Sequence, residues 1–114
     1  MPITGYKKGL WAEGLACAFL MLKGYRIAAC RFKTRVGEID IVARRGNTLA
    51  FVEVKLRKTS QTAAEAIHFR NQERVRRASS LYLQRHPEYT GTDVRFDAVV
   101  MAWGSWPQHI TDAF

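Results

Sequence analysis

Hydrophobic positions change their period along the chain, and each change marks an element. From about Lys8 to Lys23, Trp11, Leu15, Phe19 and Leu22 recur at three- and four-residue spacing, which predicts a first helix with these residues on its apolar side. Gly24 follows as a stop. Tyr25 to Phe32 then alternates, with Tyr25, Ile27 and Ala29 against Arg26, Ala28 and Cys30, as a strand does. Lys33-Thr34-Arg35 is a polar connection, and Glu38 to Ala43 and Leu49 to Leu56 read as the next two strands. Between them, Gly46 and Asn47 tolerate the positive φ of a tight hairpin. Thr62-Ala63-Ala64-Glu65 matches a capping box. The helix it opens runs to about Arg85, ahead of Pro87. Ala64, Ile67, Val75, Ala78 and Tyr82 form its apolar side, and Arg70, Arg74 and Arg77 fall on another stripe. Val94 to Met101 is a further strand, with Val94, Phe96, Ala98 and Val100 on one face, and Gln108 to Ile110 a short last one. One helix, three strands, a second helix and one or two strands make an α/β or α+β domain, a small mixed sheet with helices packed on it.

Two of these strands carry charges where the pattern calls for core. Glu38 and Asp40 interrupt Gly37-Glu38-Ile39-Asp40-Ile41-Val42, and Glu53 and Lys55 interrupt Phe51-Val52-Glu53-Val54-Lys55. Burying such groups is costly unless they are paired or hold something. Alternation places Glu38 and Asp40 on one face, opposite Ile39 and Ile41, and Glu53 with Lys55 opposite Val52 and Val54. Paired strands lie about 4.8 Å apart and residues two apart about 6.7 Å, so Asp40, Glu53 and Lys55 form one patch if their faces coincide. Two carboxylates that close repel, and a cation relieves the repulsion. Oxygen ligands with positions left for water and phosphate suit Mg²⁺ or Mn²⁺. A lysine beside them positions a water or stabilises a phosphate as charge builds. Glu13, inside the apolar first helix, is a fourth candidate, or a side chain reaching for solvent beside Gly14. The plainer alternative is a solvated strand face with Glu53 and Lys55 in a cross-strand ion pair. Phe51-Val52 and Ile41-Val42 argue against it, because they indicate cover on both faces.

Charge sharpens the choice of partner. The 114 residues, read as one domain over 1–114, carry a formal net charge of +8. That points to a polyanion, nucleic acid before an acidic membrane surface. Residues 1–37 hold seven Lys or Arg against Glu13 alone, and the second helix adds Arg70, Arg74, Arg76, Arg77 and Arg85 against Glu65 and Glu73. Lys7, Lys8, Lys33, Arg35, Arg57, Arg70, Arg74 and Arg77 are the candidate phosphate contacts, which give affinity without sequence information. No base-reading motif accompanies them, so recognition by shape or junction structure is expected. Trp103 and Trp106, near Pro107, suit a core edge or dimer contact better than base stacking. His68, His86 and His109 lie far apart and read as incidental. Cys17 and Cys30 form no zinc pattern and read as small buried apolar residues in a cytosolic setting. Lys7-Lys8 before an apolar stretch imitates a signal peptide, but Glu13 interrupts it. No run reaches the roughly 18 apolar residues of a membrane span. A soluble, unprocessed, cytoplasmic protein is expected.

Gly37-Glu38-Ile39-Asp40, followed by Phe51-Val52-Glu53-Val54-Lys55-x-Arg57, resembles the YraN-like family of small bacterial proteins. That family is grouped with the PD-(D/E)xK nucleases and archaeal Holliday junction resolvases. Glu13-x-x-Ala16 with Phe19-Leu20 and Gly24, and Arg95-Phe96-Asp97, extend the resemblance over nearly the whole chain. It implies a restriction-endonuclease-like core, a mixed four- or five-stranded sheet flanked by helices. It implies a metal site of Asp40, Glu53 and Glu13 holding Mg²⁺ or Mn²⁺, with Lys55 completing the catalytic set and Glu38 and Gln72 in an outer shell. The implied activity is DNA cleavage, on branched or structured DNA in repair or recombination, by a homodimer. A catalytically silent nucleic-acid-binding protein of the same fold is the alternative, and an adaptor with a basic face a third. The chain departs from the family at Cys30, where asparagine is common, and at Asn71, where lysine is common.

Overall fold

Helix α1 (Gly5–Leu22) ends on Gly24, whose φ of 93° lets the Tyr25 N–H reach back to the Leu20 carbonyl and the Gly24 N–H to that of Met21. The chain turns there into β1 (Arg26–Lys33), β2 (Glu38–Arg45) and β3 (Thr48–Arg57). This computed structural model describes residues 5–57, 69–102 and 104–114, with side chains over 11–56, 72–102 and 104–114. The expected capping box at Thr62, Ala64, Ile67, His68 and Trp103 lie outside the described residues. So do the side chains of Lys7, Lys8, Arg57, Arg70 and Asn71. Helix α2 is described over Phe69–Arg85, followed by a short 3₁₀ turn (Pro87–Tyr89), β4 (Asp93–Ala102) and β5 (Gln108–Ile110).

The strands lie in sequence order in one five-stranded sheet. β1–β2, β2–β3 and β4–β5 are antiparallel, and β3–β4 is parallel over their full length. A parallel pair needs a crossover, and α2 lies in it. Gly46, with φ 59°, opens the two-residue turn between Arg45 and Thr48. α1 packs Ala12, Ala16 and Leu20 on one face of the sheet, against Ile41, Ala43, Ala50, Val52 and Val99. α2 packs Val75, Ala78 and Tyr82 on the other, against Ile39, Val42, Leu49 and Phe51. β3 is thus covered on both faces, as its apolar run indicates. The architecture is α/β, a five-stranded mixed sheet flanked by two helices, compatible with a restriction-endonuclease-like core.

The buried face of α1 differs from the one its spacing suggests. Ala12, Ala16 and Leu20 are buried, whereas Trp11, Leu15 and Leu22 are exposed. The helix is apolar nearly all round, so periodicity cannot choose the face, and small alanines let the helix approach the sheet closely. Trp11, Leu15 and Leu22 instead line an apolar groove of about 280 Å³ with Leu56 and Trp106. The reading of both cysteines as buried also needs correction: Cys30 is exposed, and Cys17 is partly covered.

Gly37 sets how close β2 comes to α2. A Cβ there would lie 2.1 Å from the Arg74 carbonyl oxygen. Thr34 holds the approach, with its hydroxyl donating to the Gly37 carbonyl at 2.7 Å and accepting from the Gly37 N–H at 3.1 Å. Gly37→Ala is expected to cost about 3 kcal/mol, because backbone on both sides must yield. Urea unfolding of the two proteins measures it, and a loss under about 0.5 kcal/mol would mean that α2 rides freely over the turn.

Candidate active site

The β2–β3 ladder runs from Arg45–Thr48 to Ile41–Val52. Beyond it the Asp40 side chain stands in for a backbone carbonyl, and its Oδ2 accepts the Val54 N–H at 2.8 Å. The strict alternation expected for β2 fails at this residue. Ile39 packs in the α2-side cluster and Ile41 in the α1-side cluster, so the strand changes face across Asp40. β3 keeps its alternation. Val54 and Leu56 pack toward α1, while Glu53 and Lys55 open on the α2 side.

The result is a cleft of about 250 Å³ lined by Glu38, Asp40, Glu53, Val54, Lys55, Arg74 and Val75. Glu53 is only 7% exposed. Its Oε1 lies 2.8 Å from Lys55 Nζ, so the two do pair, but along one strand rather than across strands, and at a buried carboxylate rather than on a solvated face. Burial pushes the Asp40 carboxyl up to about 6; the Val54 N–H opposes the shift, and the carboxylates of Glu13, Glu53 and Glu38 add to it.

Glu13 does not line the cleft. It sits on α1, with Oε2 3.3 Å from Arg31 Nε. Burial raises its carboxyl above the ordinary value, Arg31 and Lys33 hold it down, and Glu38 pushes it up. It is therefore within electrostatic reach of Glu38 and Asp40 from the other face of the sheet. Gln72 is half-buried on α2 and is not among the described residues lining the cleft. Of the candidate phosphate contacts, Arg74 lines the cleft, and Lys33 pairs with Glu38 across β1–β2 at its edge. Arg35 is exposed in the turn. Arg77 is exposed and bound to Glu73 at 2.6 Å.

A second charged cluster has no counterpart in the reading of the sequence. Asp97 is 0% exposed. Arg95 grips it with Nε and Nη2, each at 2.8 Å, His109 Nε2 donates at 2.8 Å, and the Asp112 N–H donates at 3.0 Å. Burial alone would raise the carboxyl, but the bonds from His109, Arg95 and Asp112 outweigh it and hold it below the usual carboxylate range. Lys23 reaches His109 Nδ1 and Arg95 reaches the Tyr25 hydroxyl, so the network ties the end of α1 to β4 and β5. His109 is structural rather than incidental. The signal was Arg95-x-Asp97, two opposite charges on one face of a core strand.

Fold and cleft define an α/β domain with an acid–acid–lysine cluster at the open end of two strands. The chain matches the model of "Uncharacterised protein family UPF0102" over residues 12–101. Among its relatives, a UPF0102 protein of Methylorubrum extorquens is 53% identical, covering 94% of this chain and 84% of its own length. One of Parvibaculum lavamentivorans is 49% identical, covering 99% and 87%. One of Nitrobacter winogradskyi is 46% identical, covering 100% and 97%. The chain belongs to the UPF0102 family, the YraN-like proteins that its motifs resemble. Among the described residues, no helix is long and apolar enough to cross a membrane.

Carboxylate oxygens are the donors that a hard divalent cation takes. Asp40, Glu53 and Glu38 present only carboxylate oxygens, in a cleft where their mutual repulsion is already felt at Asp40. Among the described residues, no three His, Cys, Asp or Glu side chains converge into a cage. Two carboxylates with positions left to water and phosphate are what Mg²⁺ ordinarily takes from a protein.

Proposed function

We propose that this protein is a metal-dependent endonuclease that hydrolyses DNA phosphodiester bonds, acting on branched or otherwise structured DNA as a homodimer. The observation that carries the reading is the cleft itself: Asp40 and Glu53 beside Lys55, on strands held by an α/β core, with Arg74 at the wall. Asp40 and Glu53 would hold Mg²⁺ or Mn²⁺, with Glu38 and Glu13 adding negative charge nearby. When bound, the cation supplies the positive charge that polarises a phosphodiester and acidifies a water. Lys55 donates to phosphoryl oxygens as negative charge builds on them. Arg74 and Lys33 hold flanking phosphates. Burial of Glu53 limits the screening of its interactions by bulk water.

The Glu53–Lys55 ion pair favours a second reading, a DNA-binding protein of the same fold that does no chemistry. One experiment separates the two. Linear, flapped and four-way DNA are incubated with the protein and Mn²⁺ or Mg²⁺. The nuclease reading expects cleavage of at least one substrate. It expects Lys55→Ala to lower the rate by about 10²-fold or more while leaving affinity within a few-fold. Salt-sensitive binding without cleavage of any of the three would establish the silent protein instead. Absence of DNA binding altogether would overturn both and leave the adaptor.

A further inference from the structure

Cys17 on α1 and Cys30 on β1 face each other with their sulfurs 3.6 Å apart. A disulfide needs about 2.05 Å, so a change of roughly 1.5 Å joins them. The contact depends on an irregular strand. The β1–β2 register shifts between Ile27 and Ala29, and Arg31 takes a φ of 55°, in the left-handed region that only glycine adopts cheaply. With alternation broken there, the adjacent residues Cys30 and Arg31 both reach α1, Cys30 to Cys17 and Arg31 to Glu13. Cys17 lies one helical turn after Glu13.

We infer that Cys17 and Cys30 form a reversible intramolecular disulfide, closed by a hydroperoxide and opened by a dithiol reductant. Cys30 is exposed and meets the oxidant first. Its thiolate attacks the peroxide, the O–O bond breaks, and an alcohol or water leaves while the sulfur becomes a sulfenic acid. The Cys17 sulfur then attacks that sulfur. The S–S bond forms, and the displaced hydroxide leaves as water with the Cys17 proton. Two electrons pass from the thiols to the peroxide. Burial and its bond to Cys30 push the Cys17 thiol up to about 12, so Cys30 rather than Cys17 is the sulfur that meets the peroxide, and Cys17 reacts only with the sulfenic acid held against it. The bond clamps α1 to β1 one turn from Glu13 and fixes that carboxylate against Arg31, within electrostatic reach of Asp40 and Glu38. Disulfides in reducing compartments are mostly transient and redox-sensing, and a pair half in solvent suits that use.

The test uses the full chain, treated with a few equivalents of hydrogen peroxide and then with dithiothreitol. The expected product is a single chain two mass units lighter, with no disulfide to a second copy and no thiol titratable under denaturing conditions. Its thermal midpoint rises by about 10 °C for a loop of this length. Dithiothreitol restores mass, thiols and midpoint. Cys30→Ser, a change at an exposed position, is expected to abolish the mass loss and the rise. Cys17→Ser is expected to leave Cys30 oxidised only to the sulfenic acid, trapped by dimedone. A disulfide between two copies through Cys30, or overoxidation with Cys17 still reduced, would overturn the proposal. So would a two-unit mass loss without a rise in midpoint, since the clamp would then be absent.

Discussion

Asp40→Asn is expected to make the metal-free protein more stable at pH 8, by about 2 kcal/mol, while removing its response to divalent ions. The substitution keeps an oxygen to accept the Val54 N–H and removes a charge that the fold holds at a cost. The sign follows from the raised carboxyl. Asp40 titrates near 6 in the folded chain and near the ordinary 3.8 when unfolded. Well below 3.8 it is protonated in both states and costs nothing. From pH 4 to 6 the unfolded chain ionises first and stability falls; above 6 the penalty is complete. A rise from 3.8 to about 6 corresponds to about 3 kcal/mol, reduced here because part of the group remains solvated. Thermal melts across this range should show the variant and the parent converging near pH 4 and separating above 6. With Mn²⁺ at 100 times its Kd, the parent should gain about 2.7 kcal/mol and the variant almost nothing. Cleavage should fall by about 10³-fold in the variant. A variant less stable than its parent at pH 8 would mean that the carboxylate belongs to the scaffold rather than to a ligand site.

The second large effect lies away from the cleft. Asp97→Ala is expected to cost about 3–5 kcal/mol, because it leaves Arg95 and His109 facing a cavity they cannot solvate. Asp97 also makes acid tolerance its own measure. Its carboxyl sits below the ordinary 3.8, so the stability it contributes is present above pH 4 and lost as pH falls through its folded value. Urea midpoints of the variant and the parent should therefore differ most near neutrality and approach each other in acid. A loss under about 1 kcal/mol would show that β5 and the end of α1 are held by packing alone.

Legibility in the sequence followed the number of constraints each residue carries. β3 was plain because Phe51-Val52 and Leu49-Ala50 leave no solvated side, and its charges then had to be special. The hairpin turn was plain because Gly46 answers a backbone demand. α1 was legible as a helix but not as a surface, since apolar residues surround it and only close packing selects Ala12, Ala16 and Leu20. Asp40 was legible as a candidate, but its means of placement was not. The change of face between Ile39 and Ile41 arises where the strand leaves its partner, and no periodicity records it. His109 was missed because its partner, Asp97, is close in space through β4–β5 pairing, which a scan for local ligand spacing does not see.

The parallel pair β3–β4 also governs the order in which this chain becomes safe. β1, β2 and β3 form an antiparallel meander closed by short turns, so their pairing needs only local encounters. The other edge of β3 must wait until the chain has passed through α2 and delivered β4 beside it. Until then the strand bearing Phe51, Val52, Glu53 and Lys55 is an open edge with unpaired amides, the form in which strands recruit strangers. Glu53 and Lys55 place two charges on that edge during the interval. The same side chains that face the cleft in the finished fold are thus the charges this strand carries until β4 pairs with it.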